Sequence, residues 1–115
     1  MKILANDGIS AAGQQALENA GYTVITDKVA QDDIPNYLNT EGVEILLVRS
    51  ATTARAALID ACPNLKLIGR GGVGMDNIDV SYAREKGITV INTPASSSQS
   101  VAELVMGHLF AISRF

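Results

Sequence analysis

The chain has 115 residues, with nine basic against twelve acidic side chains, a net charge of −3, one cysteine and no tryptophan. That length suits one domain with a sizeable core. The acidic balance argues against nucleic acid or an anionic membrane as partner, since both call for a basic patch. Cys62 has no second cysteine for a disulfide or a shared metal, which fits a reducing, cytoplasmic setting. Met1-Lys2-Ile3-Leu4-Ala5-Asn6-Asp7 turns polar too soon for a signal peptide. No apolar run approaches the ~18 residues of a membrane span.

Lys2–Asn6 reads as a first strand closed by Asp7-Gly8. Ser10 is placed to cap a helix reaching Ala20, and Gly21 is its stop. Tyr22–Thr26 is a second strand, rich in β-branched residues. Gln31–Asn39 is a short helix with Asp32 and Asp33 in its first turn, where the helix dipole favours them. Glu44-Ile45-Leu46-Leu47-Val48 is continuously apolar, the pattern of a strand covered on both faces. It stops at Arg49-Ser50, and a helix opening at Thr53 or Ala54 ends near Ala61, before Pro63. Asn64–Ile68 is the fourth strand, followed by the glycine-rich stretch 69–74. Asn77–Lys86 is a helix stopped by Gly87, and Gly87–Ile91 is the fifth strand, ending at Asn92-Thr93-Pro94. After a serine-rich turn, Val101–Phe115 forms a last helix, with Ser100 and Glu103 as its capping box.

Five strands alternating with five helices through short connections predict an α/β fold. The expectation is a flavodoxin-like five-stranded parallel sheet, order 2-1-3-4-5, with helices on both faces. Ligands of such sheets bind outside the carboxyl ends of the strands. Arg49 and Arg70 both fall there, and guanidinium groups suit a carboxylate or phosphate. The amides of the glycine stretch and the N-terminus of the last helix add neutral anion donors. The residues therefore point to a pocket for a small, multiply negative ligand. The plainer alternative is that Arg70 pairs with a surface carboxylate, Asp76 or Asp79, and that the glycines make a tight turn.

Gly69-Arg70-Gly71-Gly72-Val73-Gly74 satisfies G-x-G-x-x-G, but its context is wrong for a dinucleotide. That motif belongs after the first strand of its unit, with an acid ending the next strand. Here it follows the fourth strand, and Asn92 ends the next. A phosphoacceptor receiver fails too, because Arg49 and Asn92 stand where it needs Asp and Lys. The one histidine, His108, lies mid-helix among apolar residues, and no obvious general base is present. Asp32, Asp33, Glu41 and Glu44 have no metal-ligand spacing. Val101, Leu104, Val105, Met106, Leu109, Phe110, Ile112 and Phe115 make the last helix apolar nearly all round. Either a further domain or a second copy of the chain, in a homodimer, is expected to cover it.

Four segments appear in order: Val48-Arg49-Ser50-Ala51-Thr52, then 67–79 (LIGRGGVGMDNID), then 87–94 (GITVINTP), then Ser100-Val101-Ala102-Glu103-Leu104. Together they resemble the N-terminal part of the D-isomer-specific 2-hydroxyacid dehydrogenases, over essentially the whole chain. The likeness is greatest to the branch that oxidises 3-phosphoglycerate in serine biosynthesis. The resemblance implies a substrate-binding domain over residues 1–95 and the first interdomain helix over 96–115, unless that helix packs back on the sheet. By position, the Val73 and Gly74 amides would receive the substrate carboxylate, and Arg49, Ser50 and Arg70 would line the phosphate side. Val73 would also approach the nicotinamide of NAD, while Ser97 stands at a cleft position where the family commonly has Asn. NAD and the catalytic Arg, Glu and His would belong to a Rossmann domain missing from this chain. The resemblance thus implies a small anionic substrate, 3-phosphoglycerate or another 2-hydroxy acid, and no dehydrogenase activity from these 115 residues alone. A free-standing phosphate- or nucleotide-binding module remains the alternative.

Overall fold

The run Ile45-Leu46-Leu47-Val48 lies at the centre of the sheet, and all four residues are buried. A residue run with no polar face can only be accommodated where both faces are covered. The computed structural model describes residues 2–9, 11–49, 51–71 and 77–93. The expected capping serine, Ser10, and the serine turn and last helix over 94–115 lie outside them.

The described elements are β1 (Lys2–Ala5), α1 (Ala11–Asn19), β2 (Thr23–Ile25), a 3-10 turn (Gln31–Asp33), α2 (Ile34–Glu41), β3 (Val43–Val48), α3 (Ala56–Ala61), β4 (Leu67–Gly71), α4 (Val80–Glu85) and β5 (Thr89–Thr93). The strands form one parallel sheet in the order β2-β1-β3-β4-β5, as the alternation predicts. Leu4, Leu46, Val48, Ile68 and Val90 face one side of it. There they pack with Ile34 and Leu38 of α2, Leu58 and Ile59 of α3, and Ala83 of α4. Ile3, Ala5, Ile45, Leu47, Leu67 and Ile91 face the other side, with Leu17 of α1.

Several boundaries move, each for a local reason. The fourth strand starts at Leu67 rather than Asn64, because the Leu65 amide turns back to the Cys62 carbonyl (3.1 Å) in the turn around Pro63. It then continues through Gly69, Arg70 and Gly71, so the start of the glycine stretch is strand, not loop. The segment read as a helix from Gln31 begins instead as the 3-10 turn, and α2 takes over at Ile34. The helix expected from Asn77 starts only at Val80. Ile78 is engaged in a parallel bridge with Ala54, which also delays α3 to Ala56. Gly42 ends α2 with φ of 67°, a left-handed conformation that glycine adopts without a Cβ clash.

Candidate functional site

Strand order reverses between β1 and β3, and in sheets of this order that switch point is where a ligand crevice opens. Here the chain's own polar groups fill it. Asn6 follows β1 and is only 3% exposed. It grips the Val29 peptide from both ends, donating to its carbonyl (3.1 Å) and accepting from its amide (2.7 Å). Its amide nitrogen also donates to the Thr52 hydroxyl (2.9 Å). The neighbouring Asp7 side chain is 4% exposed and fully engaged. Its Oδ1 meets Lys28 Nζ at 2.7 Å and accepts from the Thr52 hydroxyl at 2.6 Å. Its Oδ2 accepts from the amides of Arg49 (2.7 Å) and Thr52 (3.0 Å). Burial pushes the Asp7 carboxyl up, but the Lys28 ammonium, the Thr52 hydroxyl and the two amides together outweigh it and hold it below its ordinary value. A carboxylate with both oxygens committed in this way is a structural anchor, not a free base.

Two cationic side chains are found one strand further along. Arg49 leaves the end of β3 exposed, and Arg70 sits half-buried within β4, whose register pairs it with Val48. Arg70 Nε donates to the Arg49 carbonyl oxygen at 3.3 Å. That oxygen also accepts from Asn77 Nδ2 at 2.7 Å. Among the described residues neither guanidinium meets a carboxylate. Asp79, one of the two partners weighed for Arg70, instead pairs with Arg55 (3.1 Å) and accepts from the Ala56 amide (2.8 Å). The structure thus brings Arg49 and Arg70 together at the carboxyl edge. Ser50, Val73, Gly74 and Ser97, and Asp76 as the other partner weighed, lie outside the described residues.

The first two glycines of the G-x-G-x-x-G pattern are within β4. A Cβ on Gly69 would stand 2.8 Å from Leu47 Cδ2, so this glycine serves the packing of neighbouring strands. Residues 69–71 therefore do not form the strand-to-helix turn of a dinucleotide-phosphate loop. Among the described residues there is no group of three or more His, Cys, Asp or Glu placed to hold a metal. Nor is any helix among them long and apolar enough to cross a membrane. Cys62 is buried, and burial raises its thiol pKa, so it is not an activated nucleophile.

The roles of Asp7, Thr52 and Asn77 were not singled out by reasoning from sequence. The available signal was positional: each is a polar residue just beyond a strand or beside the glycine stretch. Partners 21 to 46 residues away are not visible in a linear pattern.

A parallel sheet of order 2-1-3-4-5 with two arginines at its carboxyl edge defines an α/β protein of the flavodoxin-like kind. The chain belongs to the D-isomer specific 2-hydroxyacid dehydrogenases, matching their catalytic domain over residues 3–114. It is 43% identical over 113 residues to a hydroxypyruvate reductase of Thermotoga maritima, covering 98% of this chain and 37% of that protein. It is 40% identical over 114 residues to a D-3-phosphoglycerate dehydrogenase of Methanocaldococcus jannaschii, covering 99% of this chain and 21% of that one. Among solved structures, NAD+-bound 3-phosphoglycerate dehydrogenase of Entamoeba histolytica superposes with a TM-score of 0.71 at 28% identity, over 95% of this chain and 38% of the other. The chain thus spans well under half the length of these relatives.

Proposed function

We propose that this chain is the substrate-binding part of an NAD-dependent 2-hydroxyacid dehydrogenase, of the D-3-phosphoglycerate dehydrogenase kind. Its carboxyl edge would hold the anionic groups of the substrate. The observation that carries this reading is Arg49 and Arg70, joined through the Arg49 backbone carbonyl and without a carboxylate partner among the described residues. Two cations left open at a sheet's ligand edge are favourable only in the company of an anion or of solvent. Arg49 and Arg70 grip the phosphate side, together with Ser50, while the Val73 and Gly74 amides take the carboxylate and Ser97 faces the cleft. In this reading NAD and the groups that move hydride and proton belong to the rest of a longer protein, and Val73 lies near the nicotinamide. The cofactor supplies the hydride acceptor. The part played by the present residues is to bind and orient the hydroxy acid. The segment 96–115, expected from its sequence to be helical, would link to that further domain, pack back on the sheet, or pair with a second copy.

Titrating the chain with 3-phosphoglycerate and with glycerate, following the nuclear magnetic resonance signals of Arg49, Arg70 and Gly71, tests the reading. Saturable shifts with 3-phosphoglycerate are expected, reduced about tenfold or more in affinity by R49A or R70A, the scale of one charge-assisted contact. Flat shifts with both ligands would refute it. The likeness to a hydroxypyruvate reductase favours a second reading in which no phosphate is needed. Glycerate binding as well as 3-phosphoglycerate would select it. The chain mixed with 3-phosphoglycerate and NAD is expected to yield no NADH, and measurable turnover would contradict the division of labour proposed here.

A further inference from the structure

The turn that carries Arg49 is held by side chains from three other parts of the fold. Asp7, after β1, accepts from the amides of Arg49 and Thr52 at 2.7 and 3.0 Å. Asn77, before α4, donates to the carbonyls of Arg49 and Thr52 at 2.7 and 2.6 Å. Gln31 forms a two-point amide pair with Thr53, 2.9 Å in each direction. The consequence is sharpest at Arg49. Its N–H belongs to the peptide plane before its Cα, and its C=O to the plane after. With both anchored, φ and ψ are fixed, and so is the direction of the Cα–Cβ bond. The same carbonyl oxygen receives Arg70 Nε, so the anchor also fixes one end of the second guanidinium.

We propose that Asp7 and Asn77 are positioning residues of the anion site: they aim the Arg49 and Arg70 guanidiniums without touching the ligand. This inference rests on the reading that the two arginines grip the substrate's anionic groups. Charge alone makes the opposite forecast for Asp7. A carboxylate one hydrogen bond from the Arg49 backbone opposes a neighbouring anion, so removing its charge should tighten binding. Positioning demands that removing it weaken binding.

The test compares the wild-type chain with D7N, N77A and I88V, the last a mild core truncation at the amino end of β5, away from the site. Two quantities are read: the Arg70 Nε–H resonance with its exchange rate, and affinity for 3-phosphoglycerate and for inorganic phosphate. In D7N and N77A the Arg70 Nε–H signal is expected to move to the free-guanidinium position and exchange faster. Affinity should fall about tenfold, the scale of one misaligned charge-assisted hydrogen bond. I88V should leave both unchanged despite lower stability. Unaltered Nε–H signals in both variants, or tighter binding by D7N, would overturn the proposal. If the wild-type chain binds neither probe, the anion-site reading fails, and the Nε–H signal still decides whether Asp7 and Asn77 hold the arginines. Should D7N not fold, N77A carries both readouts.

Discussion

Gly69 passes Leu47 so closely that a methyl group on it would lie 2.8 Å from Leu47 Cδ2, inside van der Waals contact. The two residues are register partners in β4 and β3, and Leu47 is buried. G69A is therefore expected to destabilise the fold by about 1–2 kcal/mol through overpacking. L47V removes the obstructing methyl, so the double variant should recover part of that loss. A double-mutant cycle by urea denaturation measures the coupling, and strict additivity would show that the contact is relieved at no cost.

Asp7 gives the fold an acid limit. Its folded pKa lies below its unfolded value, so between the two values the folded state binds fewer protons than the unfolded chain. The stability it contributes is thus fully present above the unfolded pKa and is lost as pH falls through the folded one. Unfolding free energy should decline below about pH 4, the ordinary carboxyl range. In D7N that decline should flatten, with stability at neutral pH lower by about 2–3 kcal/mol from the lost charge-assisted bonds. Denaturation midpoints of both chains across pH 3–7 check the sign, and parallel curves would contradict it.

Asp79 meets two partners of unequal worth. Its ion pair with Arg55 is solvent-exposed, whereas its second oxygen accepts from the Ala56 amide, an otherwise unpaired donor in the first turn of α3. R55A should change stability by no more than about 0.5 kcal/mol. D79A should cost about 1 kcal/mol, as for loss of a helix cap. Thermal melts of the two variants separate these effects, and an R55A loss equal to that of D79A would reverse the assignment.

What could be read from the sequence was what local chemistry controls. The run from Ile45 to Val48 marks a strand covered on both faces, and glycines such as Gly21 and Gly87 mark helix ends. Arg49 and Arg70 could be placed at the carboxyl edge because each follows an apolar run. The glycine stretch is ambiguous by itself. Gly69 resembles a loop residue in the sequence, yet its small size answers to Leu47 on the adjacent strand. Likewise Ile78 reads as part of a helix, and only its bridge with Ala54 draws it out. Asp7 and Asn77 give no local sign of their work, because their partners lie 21 to 45 residues away.

The web of hydrogen bonds at the carboxyl edge also bears on the order of folding. Asn6 and Asp7 reach residues 21 to 46 positions ahead, and Asn77 reaches back 25 and 28. Contacts of such sequence separation form only after the intervening chain has closed its loops. Closing the Arg49 turn therefore requires the ends of β1 and β3 and the start of α4 to come together. The sheet pairs Leu4 with Leu46 and Ile68 with Val90 across separations of the same size, so the edge that would meet the ligand sets together with the sheet. A variant that removes the edge hydrogen bonds and spares the strands would leave a chain with its sheet assembled and its arginines not aimed.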